Sequence, residues 1–155
     1  MHIQDNLGNR MKNSYENRTR FLLPRRTHTI IRIDGKAFHT WTKGLEKPYD
    51  RNLLDTFVKT YLLTAQKLQG FKFGYTQSDE ASFLLTDFDD IKTQAYVDGN
   101  LQKICSVTAS TFTAHFNHQW PGQKNKPAIF DARVFTVPDI NEVVNYFLWR
   151  HKDCV

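Results

Sequence analysis

Thr29-Ile30-Ile31-Arg32-Ile33-Asp34-Gly35-Lys36, residues 29–36, is a β-branched run that stops on an acid and a glycine. Such runs bury as strands, and a glycine at the end lets the backbone turn or approach a ligand closely. A second stretch behaves the same way at residues 75–85, Tyr75-Thr76-Gln77-Ser78-Asp79-Glu80-Ala81-Ser82-Phe83-Leu84-Leu85. Its acids sit at a turn between two strand-like halves. Each stretch would bury its strand and leave its carboxylate at a rim. Two carboxylates brought together there repel unless a cation sits between them. A hard cation such as Mg²⁺ is the usual answer, and it typically arrives with phosphates.

Working outward, Asp50 is a helix N-cap candidate. Leu54, Phe57, Val58, Tyr61, Leu62, Ala65 and Leu68 keep helical spacing, which predicts a helix over 51–69 stopped by Gly70. Strands are predicted over 71–76 and 81–86, with a tight turn through 77–80. A polar loop follows at 86–99, a helix over 100–118, a loop over 120–127 and a strand over 128–137. Pro138 opens a last helix, over about 139–153. Ahead of all this, Leu7, Met11 and Tyr15 form a thin apolar stripe in a polar helix over about 5–20. Residues 36–50 read as an irregular loop or short hairpin.

The order is helix, βαββαβ, helix. This is the ferredoxin-like split-βαβ arrangement, an α+β (α/β sandwich) palm with flanking helices and a core over 27–137. Its first and third strands lie side by side, and right-handed crossovers leave little other wiring. Asp34, at the end of strand one, is therefore expected beside Asp79-Glu80, at the start of antiparallel strand three. That is the layout of a polymerase or cyclase palm.

The bulk numbers permit this chemistry. A chain of 155 residues predicts one domain with a real core. The net charge of +5 comes from 21 Lys+Arg against 16 Asp+Glu. The excess gathers before the first strand, at Arg10, Lys12, Arg18, Arg20, Arg25 and Arg26, which suits a nucleotide or nucleic-acid partner or simply a solvated face. Cys105 and Cys154 make neither a zinc site nor a disulfide framework, so a reducing compartment is expected. No run approaches the ~20 apolar residues of a membrane span. The start of the chain lacks the apolar core of a signal peptide. The expectation is a cytoplasmic protein with no membrane partner.

Several blocks carry a further likeness: residues 7–20 (LGNRMKNSYENRTR), 30–50 (IIRIDGKAFHTWTKGLEKPYD), 74–85 (GYTQSDEASFLL), 102–110 (QKICSVTAS), 130–135 (FDARVF) and 146–154 (YFLWRHKDC). In this order and spacing the chain resembles the tRNA(His) guanylyltransferases and their Thg1-like relatives, 3′-to-5′ polymerases. The resemblance implies a palm with two Mg²⁺ per site that adds or repairs nucleotides at a tRNA 5′ end. It implies GTP, ATP or another triphosphate as the other substrate, and a homo-oligomer, a tetramer in the family. It implies metal binding by Asp34, Asp79 and the Gly35 backbone carbonyl, with Glu80 as the neighbouring catalytic acid. It places Arg32, Lys36, Ala37, Phe38, His39, Lys47 and Asp50 in the nucleotide-binding block, Ser78 beside the second aspartate, and Lys103 on the triphosphate. Asn100 stands where many members carry an arginine. The family also runs on past the Asp-Cys pair, in its eukaryotic members with a His-Ile-Asn-Asn-Leu-Tyr segment.

Plainer readings stand beside these. A lone Asp beside Gly caps a strand end, and only the second acidic site on the same rim argues otherwise. Glu80 reads equally as an exposed acid at a turn. His115 and His118, at i, i+3, read as a surface pair. Asp131 and Arg133 read as an ion-pair face on a strand, Arg150 and Asp153 as a helical salt bridge. Trp41, Trp120 and Trp149 read as packing residues. A nucleotide cyclase on the same palm, or a palm fragment that binds nucleotide or RNA without turnover, would carry the same sheet.

Overall fold

The structure, a computed structural model, describes residues 3–122 and 126–154, with the side chains of 3–5 and Cys154 left aside. The middle of the expected 120–127 loop lies outside the described residues.

The first helix, α1 (Ile3–Ser14), is followed by a 3₁₀ turn at Glu16–Thr19. It starts and ends earlier than its sequence pattern predicts, and its apolar stripe is exposed: Leu7, Met11 and Tyr15 all face solvent. Next come β1 (His28–Gly35), the short helix α2 (Phe38–Trp41) and α3 (Arg51–Ala65). The hairpin β2 (Phe71–Gln77) and β3 (Glu80–Leu85) leads through a 3₁₀ turn at Tyr96–Gly99 to α4 (Leu101–Gln119). The chain closes with β4 (Phe130–Val137) and α5 (Ile140–Cys154).

Local chemistry sets most of these bounds. Asp50 caps α3, accepting from the Leu53 N–H at 3.0 Å, and Asn100 caps α4 through the Lys103 N–H at 3.1 Å. Helix α3 stops at Ala65, a turn short of expectation. Gly70, at φ +84°, then brings its backbone so close to the Thr86 carbonyl that a Cβ would collide with it. A short helix, entered through Ala37 at φ 49°, opens the irregular stretch expected after Gly35, and turns and bends make up the rest of it.

The four strands form one antiparallel sheet in the order β2-β3-β1-β4. This is the ferredoxin-like order, with β1 and β3 paired at the centre. Alternation along the strands separates two faces. Ile31, Ile33, Ala81, Phe83 and Leu85 point to the main core, where Phe57 of α3 and Ile104, Phe112 and Phe116 of α4 cover them. Phe130 joins an aromatic cluster with Phe57, Phe112 and Phe116. Each such ring, fully buried, contributes about 1.5–3 kcal/mol. On the other face Ile30 and Leu84 pack under Val143 and Tyr146 of α5. All of β3 is buried, because helices lie on both of its faces.

Candidate active site

The β2–β3 hairpin turns through two residues, Ser78 and Asp79, with Gln77 and Glu80 as its last pair. Ser78 has φ 51°, a left-handed conformation that a two-residue hairpin connection requires. Across the neighbouring ladder Glu80 lies opposite Asp34, and Asp34 lies opposite Asp131 of β4. The Gly35 N–H donates to the Asp79 carbonyl at 3.1 Å. The sheet thereby brings the two sequence-distant aspartates to one rim.

Electrostatics agree with that geometry. Burial raises the Asp79 carboxyl above the usual aspartate range, and the charges of Asp34 and, less, Glu80 push it the same way; hydrogen bonds from its own backbone and Ser78 oppose the shift. Asp34 is neutralised from its other side. Its Oδ2 accepts from Arg133 Nη1 at 2.8 Å and from Arg32 Nε at 3.4 Å.

Gly35 is fixed by sterics. A Cβ there would sit 2.6 Å from the Phe38 ring, so only glycine lets α2 fold back onto the strand end. Lys36 donates its N–H to the Ile129 carbonyl at 2.7 Å. Beyond it the side chains of Lys36, Ala37, His39 and Lys47 are exposed on the same loop, and Ser78 is exposed beside Asp79. A groove lined by Lys36, Thr40, Trp41, Lys43 and Lys126 opens next to them.

Four of the expected residues have placements that the sequence alone does not reveal. Phe38 is buried in the main core, stacked on Trp41, so its ring supports the loop from behind. Asp50 spends both carboxylate oxygens on backbone N–H groups, of Leu53 and of Glu46 at 3.2 Å. Glu80 is not an exposed turn acid: it is 7% exposed, and Arg150 of α5 grips it with two hydrogen bonds. Lys103 lies at the other end of the sheet. Its neighbour Ile104 packs near Thr29 and Leu85, whereas Thr113, ten residues on, bonds the Phe130 N–H opposite Gly35. Ten helical residues separate the two levels by about 15 Å.

Arg133 and Arg150 are the rim residues whose partners sequence reasoning misses. Arg133 pairs with Asp34 across the ladder, not with Asp131 along its own strand. Arg150 does approach Asp153, at 3.3 Å, but its short bidentate contact is to Glu80. One signal was present for it: Val143, Tyr146, Phe147 and Arg150 share the inward spacing of α5. Arg32, whose side chain is 12% exposed, sits against Asp34 and over the Trp149 ring at 5.6 Å. It supports the rim from below.

Among the described residues no three His, Cys, Asp or Glu side chains converge as a ready-made metal cage. The donor set still suits Mg²⁺, which is commonly held by one or two carboxylates with substrate phosphates completing its shell. Asp34 and Asp79 are the carboxylates available at the rim, and the buried Gln77 Oε1, beside the same turn, has no protein partner. No helix of the described residues is long and apolar enough to cross a membrane.

The comparisons agree with the geometry. The family described as tRNAHis guanylyltransferase matches residues 8–138. A bacterial tRNA(His) guanylyltransferase (Thg1)-like protein solved in complex with GTP is 46% identical, with a TM-score of 0.91, over 97% of this chain and 71% of that one. The tRNA(His) guanylyltransferase of Schizosaccharomyces pombe is 32% identical over 86% of this chain and 51% of its own length. The Saccharomyces cerevisiae enzyme structure, 24% identical over 92% of this chain and 64% of that one, shares the fold at a TM-score of 0.75. The chain spans about half the length of the curated relatives it matches.

Proposed function

This chain belongs to the tRNAHis guanylyltransferase family, and from that premise we propose that it is an Mg²⁺-dependent nucleotidyltransferase. It adds or repairs nucleotides at the 5′ end of a tRNA, in the 3′-to-5′ direction, from GTP or another nucleoside triphosphate. The observation that carries this reading is the rim itself, where the β1–β3 register and the Gly35–Asp79 backbone bond join two carboxylates that repel each other.

On this reading Asp34, Asp79 and the Gly35 carbonyl hold two Mg²⁺. Bound there, the ions lower the pKa of the attacking hydroxyl and offset charge on the leaving pyrophosphate. The chain's other residues bind and orient. Lys36, Ala37, His39 and Lys47 form the exposed edge on which the nucleotide lies, and Ser78 flanks it. Lysine charges favour the triphosphate oxygens, and positioning with charge stabilisation is most of what phosphoryl transfer asks of a protein. Phe38, Asp50 and Arg32 keep that edge in place through packing, capping and charge. The protein works as a homo-oligomer in the cytoplasm.

The test is direct. Incubate the protein with labelled GTP, Mg²⁺ and tRNA that is 5′-monophosphorylated or shortened at its 5′ end. Label on the RNA is the expected result. Cyclic or dinucleotide product would make the protein a cyclase-like enzyme. Nucleotide binding without turnover would make these residues a palm that needs the remainder of its relatives' length.

A further inference from the structure

Glu80 occupies a position that would ordinarily make it a third metal ligand. It follows Asp79 directly, lies opposite Asp34 in the ladder and faces the same side of the sheet. Both of its oxygens are nevertheless engaged. Arg150 Nε donates to Oε2 at 2.9 Å and Nη2 to Oε1 at 2.5 Å. The guanidinium is held as carefully as the carboxylate. It lies over the Trp149 ring at 4.4 Å, with Asp153 at 3.3 Å. Gln77, on the other side of the hairpin turn, donates from Nε2 to the Arg150 carbonyl at 2.7 Å, and Tyr75 OH meets His151 Nδ1 at 3.1 Å. The last turns of α5 are thus clamped onto the strand end that leads into Asp79.

We propose that Arg150 is a positioning residue of the active site: it withdraws the Glu80 carboxylate from the rim and so limits the metal-binding carboxylates to Asp34 and Asp79. The inference rests on the functional reading above. Its physical basis is the planar fork of arginine, which saturates a carboxylate at two points where lysine would offer one. A freed Glu80 would add a negative charge and two oxygens beside a pair that already repels. That would draw a cation more tightly while displacing it from the geometry that Asp34 and Asp79 set. Helix α5 thereby acts on the chemistry although it contributes no ligand.

The experiment uses Mn²⁺ alone as the probe, by electron paramagnetic resonance titration of the whole chain, alongside nucleotide transfer to tRNA. Glu80→Gln should leave Mn²⁺ affinity within about twofold of wild type. Arg150→Met should bind Mn²⁺ at least threefold more tightly, yet transfer nucleotide at a kcat lower by tenfold or more with KM for GTP little changed. Arg150→Met with Glu80→Gln should return Mn²⁺ affinity to the wild-type value and recover at least part of kcat, measured at a temperature where circular dichroism shows every variant folded. A tenfold weaker Mn²⁺ affinity in Glu80→Gln would make Glu80 a ligand and overturn the proposal, as would an additive loss in the double variant. If Arg150→Met does not fold, Glu80→Gln decides by itself through the same affinity measurement. If wild type binds Mn²⁺ but labels no RNA, the functional reading fails, while the metal titrations still judge the role of Arg150.

Discussion

At the scale of single residues, Asp34 and Asp79 carry the proposed site, and neither contributes to the apolar core. Asp34→Ala and Asp79→Ala should each abolish transfer while circular dichroism and melting show an intact fold; near-normal activity in either would remove that residue from the site. Asp79 also has a signature in stability. Its folded-state carboxyl titrates above the ordinary range, chiefly through burial. The native state therefore holds the proton more tightly than the unfolded chain, and stability falls as pH climbs from the ordinary aspartate value, about 4, through the raised one. Asp79→Asn should melt higher than wild type at neutral pH without metal, and the gain should disappear below about pH 4. An unchanged difference across that range would mean that Asp79 is not the destabilised group. Gly35 makes the third residue-level case. Gly35→Ala should cost about 1–3 kcal/mol by overpacking against Phe38, and Phe38→Leu in the same chain should restore part of it. Urea unfolding of the two single variants and the double measures this, and strict additivity would contradict the steric account.

At the scale of elements, each helix has a separate effect on the rim. Helix α5 reaches it through Arg150, and α2 packs Phe38 beneath Gly35. Helix α4 is different, because its N-terminal turn, with Lys103, stands at the far end of the sheet. Lys103→Ala should therefore change Mg²⁺-GTP affinity by less than about twofold when titrated on a dilute, monomeric sample. A loss on the order of 1.5–3 kcal/mol, the size of a charge-assisted contact, would mean that Lys103 reaches the nucleotide within a single chain and would overturn this placement.

At the scale of the whole molecule, two surfaces divide the work. The proposed nucleotide edge draws on residues 34–79, with Lys126 in the groove beside it. The basic residues that could hold RNA lie elsewhere, on α1 and the segment after it. Arg10, Lys12, Arg18, Arg20 and Arg26 are exposed there, whereas Arg25 is engaged by Asp87 at 2.6 Å. Affinity for RNA grows with the number of phosphates neutralised and falls steeply with salt. The chain should bind Mg²⁺-GTP with micromolar affinity, roughly −8 kcal/mol, and bind tRNA weakly with a strong salt dependence. Paired titrations at low and moderate salt check this. Tight, salt-insensitive tRNA binding would show that these residues suffice for RNA recognition.

The sequence by itself determined the sheet and the two aspartates. Strand and helix periodicity and the Asp50 cap are local signals, and one order of elements leaves one sensible wiring. From that wiring Asp34 had to meet the Ser78-Asp79 turn. What only the tertiary structure decided is where the charges go. Glu80 looks like an exposed acid in sequence because nothing local reveals Arg150, seventy residues away, lying across it. Arg133 alternates with Asp131, yet binds Asp34, because the neighbouring strand brings Asp34 within reach, a placement no local pattern records. Lys103 sits in a linear motif, and only the fold shows that α4 starts at the far end of the sheet. Backbone periodicity is written in neighbouring residues; the pairing of long charged side chains depends on distances that exist only once the sheet and its helices have packed.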